Sequence, residues 1–339
     1  MDGPGEKHYS FPAKVWITGG VFALIVVVLL LIKATFNVLL LILAGALIGV
    51  LFRGMNGLLQ RKTGWKSKVS LPVTILGTLI LFVLLSWFIG AKVQEQSQEL
   101  SKALPGTIEN AKNYLNQSSL GQQLLQKVSS PEAKKQAQTF AQSFFKTSFG
   151  VLGDVYVVLF LGIFFTVGAA NYKHGIVALV PKKGKTEASR VLDKLGENLT
   201  KWLKGQLFAM LVVFVLTAIG LAIIGIPLWL ILAIIAGILN FIPNFGPMIA
   251  MVPAILVALV ESPAKAAFVA GLYILVQVAE SNFITPMVQK KLLDTPPAMI
   301  IIAQLLMTTL TGGWGIILAI PLFVLLMTLV QELYINKQD

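Results

Sequence analysis

The 339-residue chain contains no cysteine, which excludes disulfides, thiol catalysis and thiolate metal centres. Its two histidines, His8 and His174, lie outside the long apolar runs and make no metal-ligand pattern, so no metal centre is expected. The sequence holds no GxxxxGK[ST] phosphate loop, which excludes ATP-driven pumping by this chain alone. It also shows no nucleophile–base pair, so neither an enzyme nor a cofactor is expected. Charge is the scarcest property of all. Only 12% of residues are charged, and none lies between Gln206 and Val260, a stretch far longer than the roughly 20 residues that cross a bilayer. With 56% hydrophobic residues and a mean hydropathy of +0.81, the composition fits a polytopic, all-α membrane protein. The net charge of +12 sits between apolar runs, where Lys and Arg set topology and meet anionic lipid headgroups. Membrane lipids are therefore expected partners, and nucleic acid is not.

The few charges divide the chain. Residues 1–91 read as a three-span region: Val15 to Ile32, a KATFN link, Val38 to Phe52, and then Leu71 to Gly90. The first run is too long for a usual signal-peptide core, and no small-x-small site directly follows it. Arg53, Arg61, Lys62, Lys66 and Lys68, with no acid among them, predict a cytoplasmic loop and hence a cytoplasmic N-terminus. Residues 92–150 carry seven basic and four acidic residues and apolar residues at helical spacing; they predict a polar helical extracytoplasmic insert broken at Pro105-Gly106 and Ser129-Ser130-Pro131. Residues 151–172 form the fourth span. Within 173–205, Val191, Leu192, Leu195, Leu199, Trp202 and Leu203 recur every three or four positions, which predicts an amphipathic cytoplasmic linker helix at the membrane surface. Residues 206–331 make the C-terminal membrane core, and 332–339 a cytoplasmic tail.

Inside that core two apolar stretches are interrupted. Asn240, Pro243, Asn244, Gly246 and Pro247 fall within eight positions, and each proline removes a helical donor and clashes with the preceding turn. Leu228 to Phe241 and Met248 to Val260 are each too short to span comfortably, so they predict a hairpin with its tip at IPNFGP, entering from outside. Gly312 and Gly313 break the stretch Ala298 to Val330 in the same way. Backbone freed at membrane depth must line a cavity or be buried in protein, and paired interruptions point to a transporter's binding site. Glu280 is the one strong intramembrane carboxyl, a functional candidate by default. Gln277 shares its helix face, while Asn282 continues the polar stretch towards Pro286, a further helix break. Asn240 and Asn244 offer amides to a small polar solute, and Gln304 is placed to face the same cavity. Each has a plainer reading, as capping, tip packing or a buried polar network that fixes helix packing.

LKGQ at Leu203 to Gln206, FIPNFGP at Phe241 to Pro247, VPAILVAL at Val252 to Leu259, and Gln277-x-x-Glu280-x-Asn282-x-x-x-Pro286 together resemble the autoinducer-2 exporter family of bacterial inner-membrane proteins. The resemblance is strong from about Glu197 to Val330. It implies a fold of about eight membrane segments, a homo-oligomer in the plasma membrane, and transport. Members are assigned to export of autoinducer-2 and others to exchange of sodium or lithium for protons. Many members carry an acid where this chain has Asn240, so a carboxylate mechanism at that position does not carry over. Three functions are expected in order: a secondary transporter or facilitator exporting a small polar solute, a Na+(Li+)/H+ antiporter, and an assembly scaffold that docks partners on the insert.

Overall fold

A computed structural model describes residues 11–88, 90–91, 131–243, 245–284 and 297–338. Among them every regular element is a helix: α1 Phe11–Thr63, α2 Ser67–Phe88, α3 Pro131–Ala178, α4 Lys185–Ile224, α5 Trp229–Leu239, α6 Phe245–Glu261, α7 Pro263–Ala279, α8 Pro297–Thr311 and α9 Gly313–Leu333. Six helices of the described residues are long and apolar enough to cross a membrane, as the fold class requires.

The helices form two cores that share α4. In one, Val213 and Leu221 of α4 pack with α5, α6 and α7, including Leu232, Ala254 and Tyr273. In the other, the earlier turns of α4, carrying Leu199, Trp202 and Leu203, meet α1, α3, α8 and α9. The α1–α3 contact is built on small residues. A Cβ on Gly45 would lie 2.6 Å from Leu161 Cβ, and one on Gly162 would lie 2.4 Å from Ile48 Cγ2. Gly45 and Gly49 form a GxxxG face that lets two backbones approach closely within lipid. The start of α2 is tied back to α1, since Ser70 donates to Asn56 Oδ1 at 2.7 Å and accepts from Gln60 Nε2 at 3.0 Å.

Three boundaries differ from the sequence expectation. The KATFN link between the first two expected spans is helical, because α1 runs unbroken for 53 residues, about 80 Å at ~1.5 Å per residue. The link holds neither Gly nor Pro, and the Thr35 hydroxyl bonds back to the Leu31 carbonyl at 2.7 Å, within the helix. The two ends of α1 therefore lie at opposite ends of one helix, where the sequence suggested a turn between two spans. The border expected at residue 150 falls inside α3, which begins at Pro131 and departs from helical geometry only at Gly168. The amphipathic linker is likewise not a separate surface helix but the first half of α4, which continues into the membrane as one 40-residue rod. Its apolar face is nevertheless placed as expected, with Val191, Leu199, Trp202 and Leu203 buried and Lys201 and Lys204 exposed. The expected break at Pro105-Gly106 and the Ser129-Ser130 part of the second, along with Asn244 and Pro286, lie outside the described residues, while Pro131 is the first residue of α3.

Both interrupted stretches in the C-terminal core are helical hairpins. α5 stops at Leu239 and α6 begins at Phe245. α8 and α9 join at Gly312, whose φ of 65° and ψ of −132° belong to a region glycine alone enters readily.

Candidate functional site

At the α5–α6 tip the chain turns tightly. Asn240 N–H donates to the Ala236 carbonyl at 3.0 Å and Ile242 N–H to the Leu239 carbonyl at 2.9 Å, while Gly246 N–H reaches back to the Ile242 carbonyl at 2.8 Å. A Cβ on Gly246 would sit 1.9 Å from the Leu239 oxygen, so only glycine lets α6 begin there. The carbonyls left over by the interruption are taken up by two glutamines. Gln206 of α4 donates to the Asn240 carbonyl at 2.7 Å, and Gln304 of α8 donates to the Pro243 carbonyl at 3.1 Å. These bonds meet the demand that backbone at membrane depth be satisfied inside the protein. The Phe241 ring stands edge-on to Trp202, 5.8 Å away, and closes the side of the tip facing α4.

The Asn240 side chain is left for other work. It is 0% exposed, and neither its amide nitrogen nor its oxygen makes a hydrogen bond of full geometry, the Glu280 carboxyl being its polar neighbour. It faces Glu280, where α7 loosens into a π-helical turn over Glu280–Ile284, a distortion often found at functional sites. Glu280 is 3% exposed, and its Oε2 is unpartnered. Gln277, one turn earlier, donates to Ser281 Oγ at 3.3 Å and leaves its own Oε1 buried without a partner. Two turns before Glu280, the Tyr273 hydroxyl is buried and unpartnered, and so is the Thr217 hydroxyl of α4, which packs against α7. No Lys, Arg or His of the described residues forms an ion pair with Glu280.

A buried polar group without a partner costs about 1 to 3 kcal/mol, so Asn240, Glu280, Gln277 and Tyr273 place several buried donors and acceptors on these elements. The groups offered are a carboxyl, two amides and a phenol. They can take a small hydrogen-bonding solute, or oxygens can gather around a cation; among the described residues no cluster of three His, Cys, Asp or Glu could hold a metal ion.

The structure thus brings Asn240, Pro243, Gly246, Pro247, Gln277, Glu280 and Gln304 to the region where the α5–α6 tip meets α7 and α8. Asn282 does not join them, since it is exposed and its amide bonds the Val278 carbonyl of its own helix at 2.8 Å. Gly312 and Gly313 belong to the other hairpin turn. Sequence reasoning missed Gln206, Tyr273 and Thr217. Gln206 is the polar residue at which the uncharged run opens, and Tyr273 precedes Glu280 by seven positions on one helix face, so both carried a signal.

Comparison with known proteins follows this geometry. The family model described as AI-2E family transporter matches residues 21–335. The chain is 32% identical over 179 residues to "Putative transport protein YueF" of Bacillus subtilis, covering 52% of this chain and 48% of that one. It is 34% identical over 143 residues to "Putative transport protein YrrI" of the same organism, covering 42% and 40%. It is also 24% identical over 180 residues to "Putative permease PerM" of Escherichia coli, covering 52% and 51%. The matched stretch spans about half the length of these relatives or less.

Proposed function

The chain belongs to the AI-2E family of membrane transporters, and from that premise we propose that it is a secondary transporter or facilitator that exports a small polar solute of the autoinducer-2 type past the α5–α6 tip. In this reading Asn240 and Gln277 hydrogen-bond the solute, and Glu280 is the protonatable group that couples its movement to an ion. The observation that carries the proposal is the Asn240–Glu280 juxtaposition: two buried side chains facing each other beneath a broken helix, with unsatisfied polar atoms on both. The names of the relatives, transport protein and permease, agree with this reading.

A buried carboxyl with no cationic partner is neutralised by a proton or by a bound cation. The same observation therefore supports a second reading, exchange of sodium or lithium for protons. Reconstitution into proteoliposomes tests both. Solute flux that responds to a pH gradient in the wild type should lose that response in Glu280→Gln, while the variant keeps the elution profile of the folded protein. An unchanged pH response would remove Glu280 from the mechanism. Sodium-dependent internal pH changes without any solute would favour the exchanger.

The proposal places the basic end of the molecule, with Arg53, Arg61, Lys201 and Lys204, in the cytoplasm of a bacterial plasma membrane. It also includes a homo-oligomeric assembly. The chain has many exposed apolar side chains on α1, α2, α7 and α8, enough for both lipid and a second protomer to cover.

A further inference from the structure

Two neighbouring cavities, the larger of which reaches Leu239, Phe241 and Ile242 at the tip, are left unused by the transport reading. The larger, of about 540 Å³ and partly open, is lined by α1, α2, α3, α4, α5, the tip and α9, with Leu47, Phe82, Leu159, Leu207, Ile238 and Phe241 among its walls. Among the described residues its only side-chain hydrogen-bonding groups are the Thr78 hydroxyl and the Trp314 indole N–H. Both are already engaged, Thr78 with the Thr74 carbonyl at 2.7 Å and Trp314 with Asp154 at 2.6 Å. Water entering such a space finds nothing to bond, and apolar cavities of this kind stay dry. A polar solute is excluded for the same reason.

The smaller cavity, of about 310 Å³, shares Leu51, Leu203 and Leu207 with the larger. Its remaining wall includes Arg53, Arg61 and Lys204, and no acid. Arg53 is fixed in place, because Nε and Nη2 both donate to the Thr166 carbonyl, at 3.2 and 3.1 Å, which leaves Nη1 uncommitted. Among the described residues Arg61 and Lys204 have no carboxylate partner, whereas Lys194 and Lys201 of the same stretch are both paired with Glu197. Three basic side chains thus converge on a cleft with nothing to balance them. Their depth in the membrane is fixed by sequence. Arg53 is the first charge after the apolar run of α1, and Lys204 is the last before the uncharged run that begins at Gln206. That is the level of the lipid phosphates.

We propose that these adjoining cavities are together a binding site for one anionic phospholipid, its acyl chain passing the shared Leu51, Leu203 and Leu207 into the apolar cavity and its phosphate between Arg53, Arg61 and Lys204. Charge complementarity selects an anionic headgroup. The continuous apolar wall behind it selects a lipid over a soluble phosphate, which would fill the mouth and leave the cavity empty. A nonspecific halo of lipid around a basic loop would need neither the apolar cavity nor the fixed Arg53. Neither Asn240 nor Glu280 lines either cavity, and the test does not depend on transport.

Native mass spectrometry of the full chain, released from nanodiscs holding equal amounts of phosphatidylglycerol and phosphatidylcholine, reads the site directly. The wild type should retain one phosphatidylglycerol per protomer in preference to phosphatidylcholine. Each basic residue at a lipid surface contributes enough that Arg61→Gln combined with Lys204→Gln should lower retention about thirtyfold. Both residues are exposed and without ion pairs, so the double variant should fold normally. Leu207→Trp, which fills the shared wall, should lower retention of either lipid. Equal retention of the two lipids by the wild type, or phosphatidylglycerol retained unchanged by the double variant, overturns the proposal.

Discussion

Asn240 meets the rest of the protein through two different groups, and they make separable predictions. Its backbone carbonyl accepts from Gln206, while its side-chain amide faces Glu280 with no bond of its own. Gln206→Leu leaves that carbonyl buried without a donor, and should lower stability by about 1 to 3 kcal/mol, seen as a lower unfolding temperature in detergent. Asn240→Leu leaves the backbone bond in place and removes two unsatisfied buried atoms. Its stability should stay within about 1 kcal/mol of wild type, while solute flux in proteoliposomes falls. If Asn240→Leu transports normally, the amide has no part in the pathway. The sequence made Asn240 and Glu280 visible one at a time, because an amide among prolines and a carboxyl in an apolar helix are both out of place. It could not show that they face each other, since 40 residues and two helices separate them and only the packing of α5 on α4 and of α6 on α7 settles where they meet.

Individual elements were legible at two clusters of helix-breaking residues. Pro243, Gly246 and Pro247 fall between the end of α5 and the first turn of α6, and Gly312 marks the end of α8, whereas Pro253 and Pro321 are carried inside α6 and α9. In both places the broken stretch became a hairpin. Where no such residue stands the reading failed: KATFN is polar enough to suggest a link but contains nothing that stops a helix. The reverse failure is the α1–α3 contact. Its glycines look like weak points of two long helices, yet Gly45 and Gly162 are where the backbones touch. Gly162→Ala should therefore destabilise the protein by about 1 to 3 kcal/mol through the overlap with Ile48. Gly153→Ala, on the same helix with open space around it, should be neutral or slightly stabilising, as alanine is the better helix former. Thermal unfolding of the two variants in detergent checks the contrast, and equal effects would mean that α1 and α3 do not approach so closely.

At the scale of the whole molecule, what matters is how α9 ties α3 to the first half of α4 within the second core. Trp314 near its start bonds Asp154 of α3, and near its other end Thr328 accepts from Asn198 of α4 at 3.0 Å while Glu332 pairs with Arg190. The first half of α4, the C-terminal end of α9 and the cavity wall shared by Arg53, Arg61 and Lys204 are thereby gathered at one end. Charge counting along the chain had suggested as much for each basic segment separately. The pairing of Arg190 with Glu332, 142 positions apart, was beyond it, because surface charges choose partners only once the helices are placed. The two partners are unequally buried: the Glu332 side chain is 8% exposed and the Arg190 side chain 56%. Removing the arginine leaves a carboxylate in a poorly solvated place, whereas Glu332→Gln leaves an arginine that water can reach. Arg190→Ala should therefore cost more than Glu332→Gln, about 1 to 2 kcal/mol against less than about 1, both below the loss expected for a fully buried pair. The measurement is the unfolding temperature of the two variants in the same detergent. The opposite order would mean that Glu332 is held by something other than Arg190, and that α9 is fastened to α4 through Asn198 and Thr328 alone.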